Sequence, residues 1–140
     1  MKKSAILITA LLLTGCSTAV VPPGEAITAP NDRVFKYQSS SAGDSALTII
    51  RDSGMIGAGC FATVYINGER VAKLNPKEKA TFYLPTGEWA IGANVEGNGL
   101  CAFSGERQER YISLKSGEHK AARVFTGDDG VMDIRPTTLD

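Results

Sequence analysis

The chain has little of what most enzymes use for catalysis. Its 140 residues include one histidine, His119, and three cysteines. It contains no HExxH, GxSxG or Walker motif and no paired CxxC. Metal and nucleophilic catalysis need several reactive groups that converge, so these absences leave few candidates. We therefore expect a protein that is not an enzyme and has no metal or other cofactor. Only a cluster of reactive groups around His119 would change that expectation.

The sequence also lacks an excess of charge of one sign. Fifteen Lys and Arg residues balance fifteen Asp and Glu residues, which gives a formal net charge of +0. Basic residues are interleaved with acidic ones, as where Arg107 and Arg110 flank Glu109. Nucleic-acid binding normally needs a basic patch, so we expect no nucleic-acid partner.

The apolar N-terminal run is too short to cross a membrane as a helix. Ala5 to Leu13 would span about 13 Å, less than half of a hydrocarbon core of about 30 Å. The run follows Lys2 and Lys3 and precedes small residues, which is the pattern of a secretory signal that is later removed. We predict a signal peptide over residues 1–15.

The end of this segment, Leu13-Thr14-Gly15-Cys16, resembles a bacterial lipobox. The resemblance implies cleavage before Cys16, a diacylglyceryl group on its sulfur and a further acyl chain, such as palmitate, on its new amino group. Several chains make such an attachment stable where one would be marginal. Ser17 follows, and a residue other than Asp at this place resembles the pattern that permits export to the outer membrane. We expect a lipoprotein on the periplasmic face of the outer membrane.

Once Cys16 is assigned to lipid, Cys60 and Cys101 remain as a pair. In an exported protein a disulfide between them is the default expectation. It would close a loop of about forty residues and contribute about 3 to 4 kcal/mol in the chain-entropy model. Two separate buried thiols are the alternative. A catalytic thiol is disfavoured because His119 lies in a charged stretch that suggests exposure.

Residues 16–45 have the composition of a flexible tether. Three prolines and the run Ser39-Ser40-Ser41 resist regular packing. Within this segment, Val34–Tyr37 is a candidate for a short edge strand or for a contact with the domain. We predict a lipidated N-terminus and tether over residues 16–45 and one domain over residues 46–140.

From residue 46 onwards, short β-rich runs alternate with turn residues and no 3.6-residue apolar period is present. Asn67-Gly68 supplies the positive φ angles of a two-residue hairpin turn. The series predicts an all-β fold, an antiparallel β-sandwich of about seven to eight short strands. The predicted strands are Ala46–Arg51, Cys60–Ile66, Glu69–Leu74, Lys79–Leu84, Glu88–Val95, Gln108–Leu114, His119–Thr126 and Val131–Arg135.

Three sequence motifs follow one another along the chain. They are a strand ending in Arg at Thr48–Arg51, a VYxxG hairpin within Ala62–Val71 and an LPxG turn within Phe82–Trp89. This arrangement resembles a family of small bacterial lipoproteins of unknown function, related to PEGA-type domains and to the prealbumin-like sandwich. The usual PPG turn of the family is here Pro85-Thr86-Gly87. The resemblance covers about a third of the chain and implies the fold but no chemistry.

Three smaller features have structural and functional interpretations. Met55 and Ile56 lie between glycines in a predicted loop, where they either close one end of the sandwich or form an apolar contact for a partner. Asp128-Asp129-Gly130 predicts a tight turn rather than a calcium loop, because the EF-hand spacing is absent. We expect Trp89 to anchor the core, since the residues two positions apart from it along the strand are apolar.

These observations together predict a lipid-anchored, non-enzymatic binding or structural module in the cell envelope. Its expected partners are the membrane, through the lipid on Cys16, and an envelope protein. The alternative is a periplasmic inhibitor or immunity lipoprotein that binds a lytic enzyme. The loop Glu96–Glu106 is where an inhibitory surface is expected.

Overall fold

The computed structural model describes residues 18–54, 58–102 and 105–138, and these form two packed β-sheets. The all-β sandwich predicted from the sequence is confirmed. Short 3₁₀ turns lie at Asn31–Arg33, Ser40–Ala42 and Gly99–Ala102. The strands are β1 (Ile27–Thr28), β2 (Ser45–Arg51), β3 (Phe61–Ile66), β4 (Glu69–Leu74), β5 (Glu78–Leu84), β6 (Gly87–Glu96), β7 (Gln108–Leu114), β8 (His119–Thr126) and β9 (Met132–Thr137).

One sheet has five strands in the order β1-β5-β2-β8-β9, and the other has four in the order β4-β3-β6-β7. The four-stranded sheet is antiparallel throughout. In the five-stranded sheet, β2 and β8 are parallel neighbours, with Ala46 opposite His119. The short β1 is also parallel to β5. The fold is therefore a sandwich in which one sheet is mixed.

The core lies between the two sheets and is filled from alternate positions of the strands. Ala62, Val64 and Ile66 of β3 are fully buried, as their shared face in the sequence predicts. Leu47 and Phe82 of the opposite sheet are also fully buried. Burying a side chain of this size contributes about 1.5 to 3 kcal/mol.

The hairpin between β3 and β4 has the predicted turn. Asn67 and Gly68 adopt φ angles of 48° and 78°, which the right-handed twist of the flanking strands favours. The Asn67 side chain also accepts a hydrogen bond from the Ala90 N–H at 3.0 Å, which ties the turn to β6.

Residues 18–44 pack on the sandwich, and the prediction of a flexible tether over residues 16–45 is corrected for this part. Val21 and Ala26 bury Ile50 and Ala121 on the outer face of the five-stranded sheet. Strand β1 extends the same sheet by pairing with β5. The segment is ordered despite its irregular composition because its few apolar residues cover an apolar sheet face.

The segment Val34–Tyr37 makes a domain contact rather than a full edge strand. Val34 forms an isolated antiparallel bridge with Ala72, and the Phe35 N–H donates to the Val71 carbonyl at 2.8 Å. Tyr37 stands edge-on to Trp89, with ring centroids 6.1 Å apart. Trp89 is half-buried at the rim of the core, where its indole N–H donates to the Pro85 carbonyl at 3.0 Å.

Candidate functional site

One end of the sandwich gathers the start of the described chain, the disulfide and several loops. Strands β2 and β8 end there, and β3 begins there. We call this the disulfide end and define it by residues 18–20, 52–54, 58–60, 97–102 and 127–131. The opposite, far end carries the Asn67-Gly68 hairpin and the turns at residues 85–87 and 115–118.

Cys60 and Cys101 form a disulfide, as the sequence predicts, with their Cα atoms 5.6 Å apart. It joins the start of β3 to the 3₁₀ turn that follows β6. The chain leaves β6 through Gly97, whose φ is +157°. A Cβ at Gly97 would lie 2.7 Å from the Cβ of Cys101, so glycine is required beside the disulfide.

Leu100 is the apolar tip of this turn. Its side chain is 91% exposed, more than any other large hydrophobic residue of the described chain. The neighbouring Cys101 is covalently held, so the backbone beside Leu100 is fixed although its side chain is not packed. An apolar group held outward on a constrained loop is suited to contact another apolar surface.

The loop that carries Leu100 begins in a polar network on the outer face of the four-stranded sheet. Glu96 accepts hydrogen bonds from the Tyr65 hydroxyl, from Nε and Nη2 of Arg70 at 2.9 Å, and from Thr63 at 3.3 Å. The Arg70 guanidinium is the main cause that lowers the pKa of Glu96. Burial, followed by the Glu96 carboxylate, raises the pKa of Tyr65.

The residue that follows this loop, Arg107, also contacts the ring of Tyr65. The Arg107 guanidinium lies 4.4 Å from the centroid of Tyr65. Gly92 provides the space for it, since a Cβ there would lie 3.3 Å from Cδ of Arg107. Glu96 before the loop and Arg107 after it thus both contact Tyr65.

Arg51 connects the disulfide to both sheets from inside the sandwich. Its side chain is almost completely buried and donates to the carbonyls of Cys60 at 2.6 Å and Leu74 at 2.7 Å. Burial lowers its pKa to about 10, so it remains charged at neutral pH. Its role is structural, because its hydrogen bonds hold backbone atoms.

The described chain also enters the fold at the disulfide end. Ala19 pairs with Ser53 through two backbone hydrogen bonds. The Thr18 hydroxyl donates to the Thr126 carbonyl at 3.5 Å. The next buried anchor is Asp52, which accepts from the Val21 N–H at 3.4 Å and pairs with Arg123.

Three of the residues singled out in the sequence, Cys16, Met55 and Ile56, lie outside the described residues. The structure places the residues that flank the last two, Gly54 and Ala58, at the disulfide end. The described parts of the predicted loop Glu96–Glu106 are at the same end, and its residues 103 and 104 lie outside the described residues. The structure therefore brings together the predicted loop, the disulfide and the start of the described chain.

His119 lies apart from this end, on the outer face of the five-stranded sheet. Its Nε2 is 2.8 Å from Oγ1 of Thr48, which is in turn 2.8 Å from Oγ1 of Thr81. A groove of about 840 Å³ beside it is lined by Tyr111 and Lys120, among others. The hydrogen-bond partner of His119 is thus a hydroxyl rather than a carboxylate or a thiol.

The acidic stretch Asp128-Asp129-Gly130 forms the predicted tight turn. The Gly130 N–H donates to the Gly127 carbonyl at 2.9 Å, and the Asp129 carboxylate accepts from the Val131 N–H at 3.0 Å. Within the part of the chain that the structure describes, no group of three or more His, Cys, Asp or Glu residues is placed to hold a metal ion. Nor do the described residues include a helix long and apolar enough to cross a membrane.

No protein-family model matches this sequence, and no curated protein matches it. Sequence reasoning missed Leu100 as the exposed tip of its loop and missed the packing of residues 18–44. A signal for the first was present, since Leu100 is the one large aliphatic residue between Glu96 and Glu106, in a stretch rich in glycine.

Proposed function

We propose that the protein is an exported, lipid-anchored and non-enzymatic binding or structural module on the periplasmic face of the outer membrane. The disulfide between Cys60 and Cys101 supports export, because such bonds persist in oxidising compartments. The disulfide also uses two of the three cysteines. It thereby supports the assignment of the third, Cys16, to lipid.

The observation that carries the proposal is the position of the chain entry. Ala19, only three residues after Cys16, is already paired with the sandwich at Ser53. A lipid on Cys16 would thus hold a rigid domain, rather than a loose tail, at the membrane. A domain of this kind is suited to binding an envelope protein with its exposed loops and sheet faces.

Metabolic labelling with a palmitate analogue, followed by separation of inner and outer membranes, tests this proposal in bacterial cells. The wild-type protein is expected to carry label and to sediment with the outer membrane. The Cys16→Ser variant is expected to lose the label and to keep residues 1–15, because the lipobox then lacks its cysteine. A Ser17→Asp variant is the matched control, because it should keep the label but lose the outer-membrane location. Unlabelled wild-type protein in the cytoplasm would refute the proposal.

Binding to an envelope protein is tested by crosslinking the intact lipoprotein in living cells and identifying the captured proteins. We expect the same envelope protein to be recovered from repeated experiments. Recovery of no reproducible partner would count against a binding module. A purely structural role would then need a different test, such as envelope permeability in cells that lack the protein.

The alternative function, inhibition of a lytic enzyme, is favoured by one observation. Leu100 is exposed in a turn that the disulfide at Cys101 constrains, and a constrained, exposed loop suits an inhibitor. The lipidated protein, purified from membranes in detergent, should then inhibit a peptidoglycan-cleaving enzyme, and Leu100→Asp should abolish the inhibition. Equal enzyme activity with and without the protein, across several lytic enzymes, would exclude this alternative.

A further inference from the structure

The link between the proposed lipid and the sandwich is very short. Only Ser17 and Thr18 separate Cys16 from Ala19, the first residue paired with the domain. A fully extended chain of three residue steps reaches about 10 Å. A lipid on Cys16 would therefore hold the disulfide end within about 10 Å of the membrane surface, which is too close for another protein domain to fit between them.

The apolar tip of the domain lies at the same end. Thr18 lies on the five-stranded sheet, against Gly54 and Thr126. The turn with Leu100 is bonded to β3 of the four-stranded sheet through Cys101. Packed sheets are about 10 Å apart, so the chain entry and the Leu100 turn flank the same narrow end.

We propose that the disulfide end lies against the phospholipid surface and that Leu100 inserts at the boundary between headgroups and acyl chains. This inference rests on the proposed lipid anchor. Leu100 is 91% exposed, and Val20, beside the chain entry, is 59% exposed. Contact with lipid would remove both side chains from water, which is the driving force for burial of apolar groups.

Of the acidic groups near the Leu100 loop, two are paired with arginines, and Glu106, Asp128 and Asp129 are exposed. Glu96 is paired with Arg70, and Asp52 is paired with Arg123 within the sandwich. The exposed acidic turn at Asp128 and Asp129 is at this end as well. Because these two carboxylates are repelled by anionic headgroups, the contact is expected to be most favourable on zwitterionic lipid.

Two tryptophan variants of the full lipidated protein test the orientation. Leu100→Trp places the probe at the disulfide end, and Ser116→Trp, at an exposed turn of the far end, is the matched control. The native Trp89 is retained in both, and it lies toward the far end, where it bonds to Pro85. The proteins are reconstituted in phosphatidylcholine vesicles that contain a lipid with a spin-labelled headgroup.

The inference predicts that the spin label removes most of the emission added by Leu100→Trp and little of the emission added by Ser116→Trp. Equal, weak quenching of the two variants would overturn the inference. The acylation of each sample is measured by mass in the same experiment. Weak quenching of an acylated protein contradicts only the membrane contact, whereas the absence of acylation contradicts the proposed function itself.

Adding a lytic enzyme to the same vesicles shows whether Leu100 contacts lipid or that enzyme. If Leu100 contacts a lytic enzyme instead, adding that enzyme to vesicle-bound Leu100→Trp protein would shift the emission while the spin label has no effect. That result would overturn the membrane contact and favour the inhibitor alternative. Quenching by the spin label that the enzyme does not relieve supports the membrane contact.

Discussion

Ala19 and Ser53 exchange two backbone hydrogen bonds, of 2.8 and 3.0 Å, in an isolated antiparallel bridge. This bridge marks where the N-terminal segment joins the sandwich. It leaves two residues between Cys16 and the ordered fold, where the composition predicted a tether of about thirty. The distance between the proposed lipid and the domain is therefore set by packing at the disulfide end.

Limited proteolysis is expected to find the N-terminal segment protected. Arg33 donates 2.6 Å hydrogen bonds to both carboxylate oxygens of Glu78 and a 2.9 Å bond to the Lys73 carbonyl. Trypsin needs this side chain in its own specificity pocket, so cleavage at Arg33 should wait for local opening. The native time course, followed by mass, should show no early fragment that starts at Val34. Rapid release of that fragment would contradict the packing of the N-terminal segment and would favour a flexible tether.

A methyl group at Gly43 is expected to destabilise the protein. The Cβ of Gly43→Ala would lie 2.0 Å from the Leu84 carbonyl carbon, a backbone atom that cannot move without shifting β5. We expect the free energy of unfolding to fall by about 1 to 3 kcal/mol. Urea denaturation measures this change.

Gly24→Ala is the matched control, because a Cβ there meets nothing within 4 Å. Its free energy of unfolding should stay within about 0.5 kcal/mol of the wild type. If Gly43→Ala is as stable as Gly24→Ala, residues near 43 are not packed as described.

Removing the disulfide is expected to lower stability through the unfolded state. Cys60 and Cys101 are 41 positions apart, and closing a loop of this length contributes about 4 kcal/mol in the chain-entropy model. The double Cys60→Ser, Cys101→Ser variant and the reduced wild type should lose similar amounts in guanidinium denaturation. A double variant within about 1 kcal/mol of the oxidised wild type would contradict this prediction.

The ion pair between Arg33 and Glu78 is expected to make stability depend on pH. The hydrogen bonds from Arg33 are the main cause that lowers the pKa of Glu78. A lowered carboxyl pKa stabilises the fold above the ordinary value of about 4.3, and this contribution disappears as the pH falls through the lowered value.

Glu78→Gln should therefore lower the free energy of unfolding by about 1.5 to 3 kcal/mol at pH 7. The difference from the wild type should shrink as the pH falls below about 4. Glu69→Gln is the control, since the Lys36 and Glu69 side chains are about half exposed and their pair should contribute little. Denaturation series between pH 3 and pH 7 check both, and a pH-independent effect of Glu78→Gln would contradict the prediction.

The strands were largely predictable because each carries its own pattern and ends at its own turn. Asn67-Gly68 determines the register of β3 and β4 next to the turn, up to the shift between Val64 and Tyr65. Alternation assigns Ala62, Val64 and Ile66 to the core. The cysteine pairing was predictable from the expectation of export and from the even number of cysteines left once Cys16 is assigned to lipid. These signals are local or chemical, so they do not depend on knowing the topology.

The arrangement of distant segments was not predictable in the same way. The parallel pairing of β2 with β8 joins residues more than 70 positions apart, and no local signal specifies it. The stretch Leu47–Ile50, in which three of the four residues are apolar, indicates a strand buried on both faces. It does not show that Val21 and Ala26 provide the cover, because two small apolar residues separated by two prolines, a glycine and a glutamate do not resemble a packing element.

The mass of the N-terminal tryptic peptide, taken from protein isolated from bacterial membranes, tests the central claim most directly. The account predicts a peptide that begins at Cys16, ends at Arg33 and carries a diacylglyceryl group and an amide-linked acyl chain. A peptide of the same bounds with an unmodified Cys16, or a mature chain that retains Met1 and the residues after it, would contradict the lipid anchor and the orientation inferred from it.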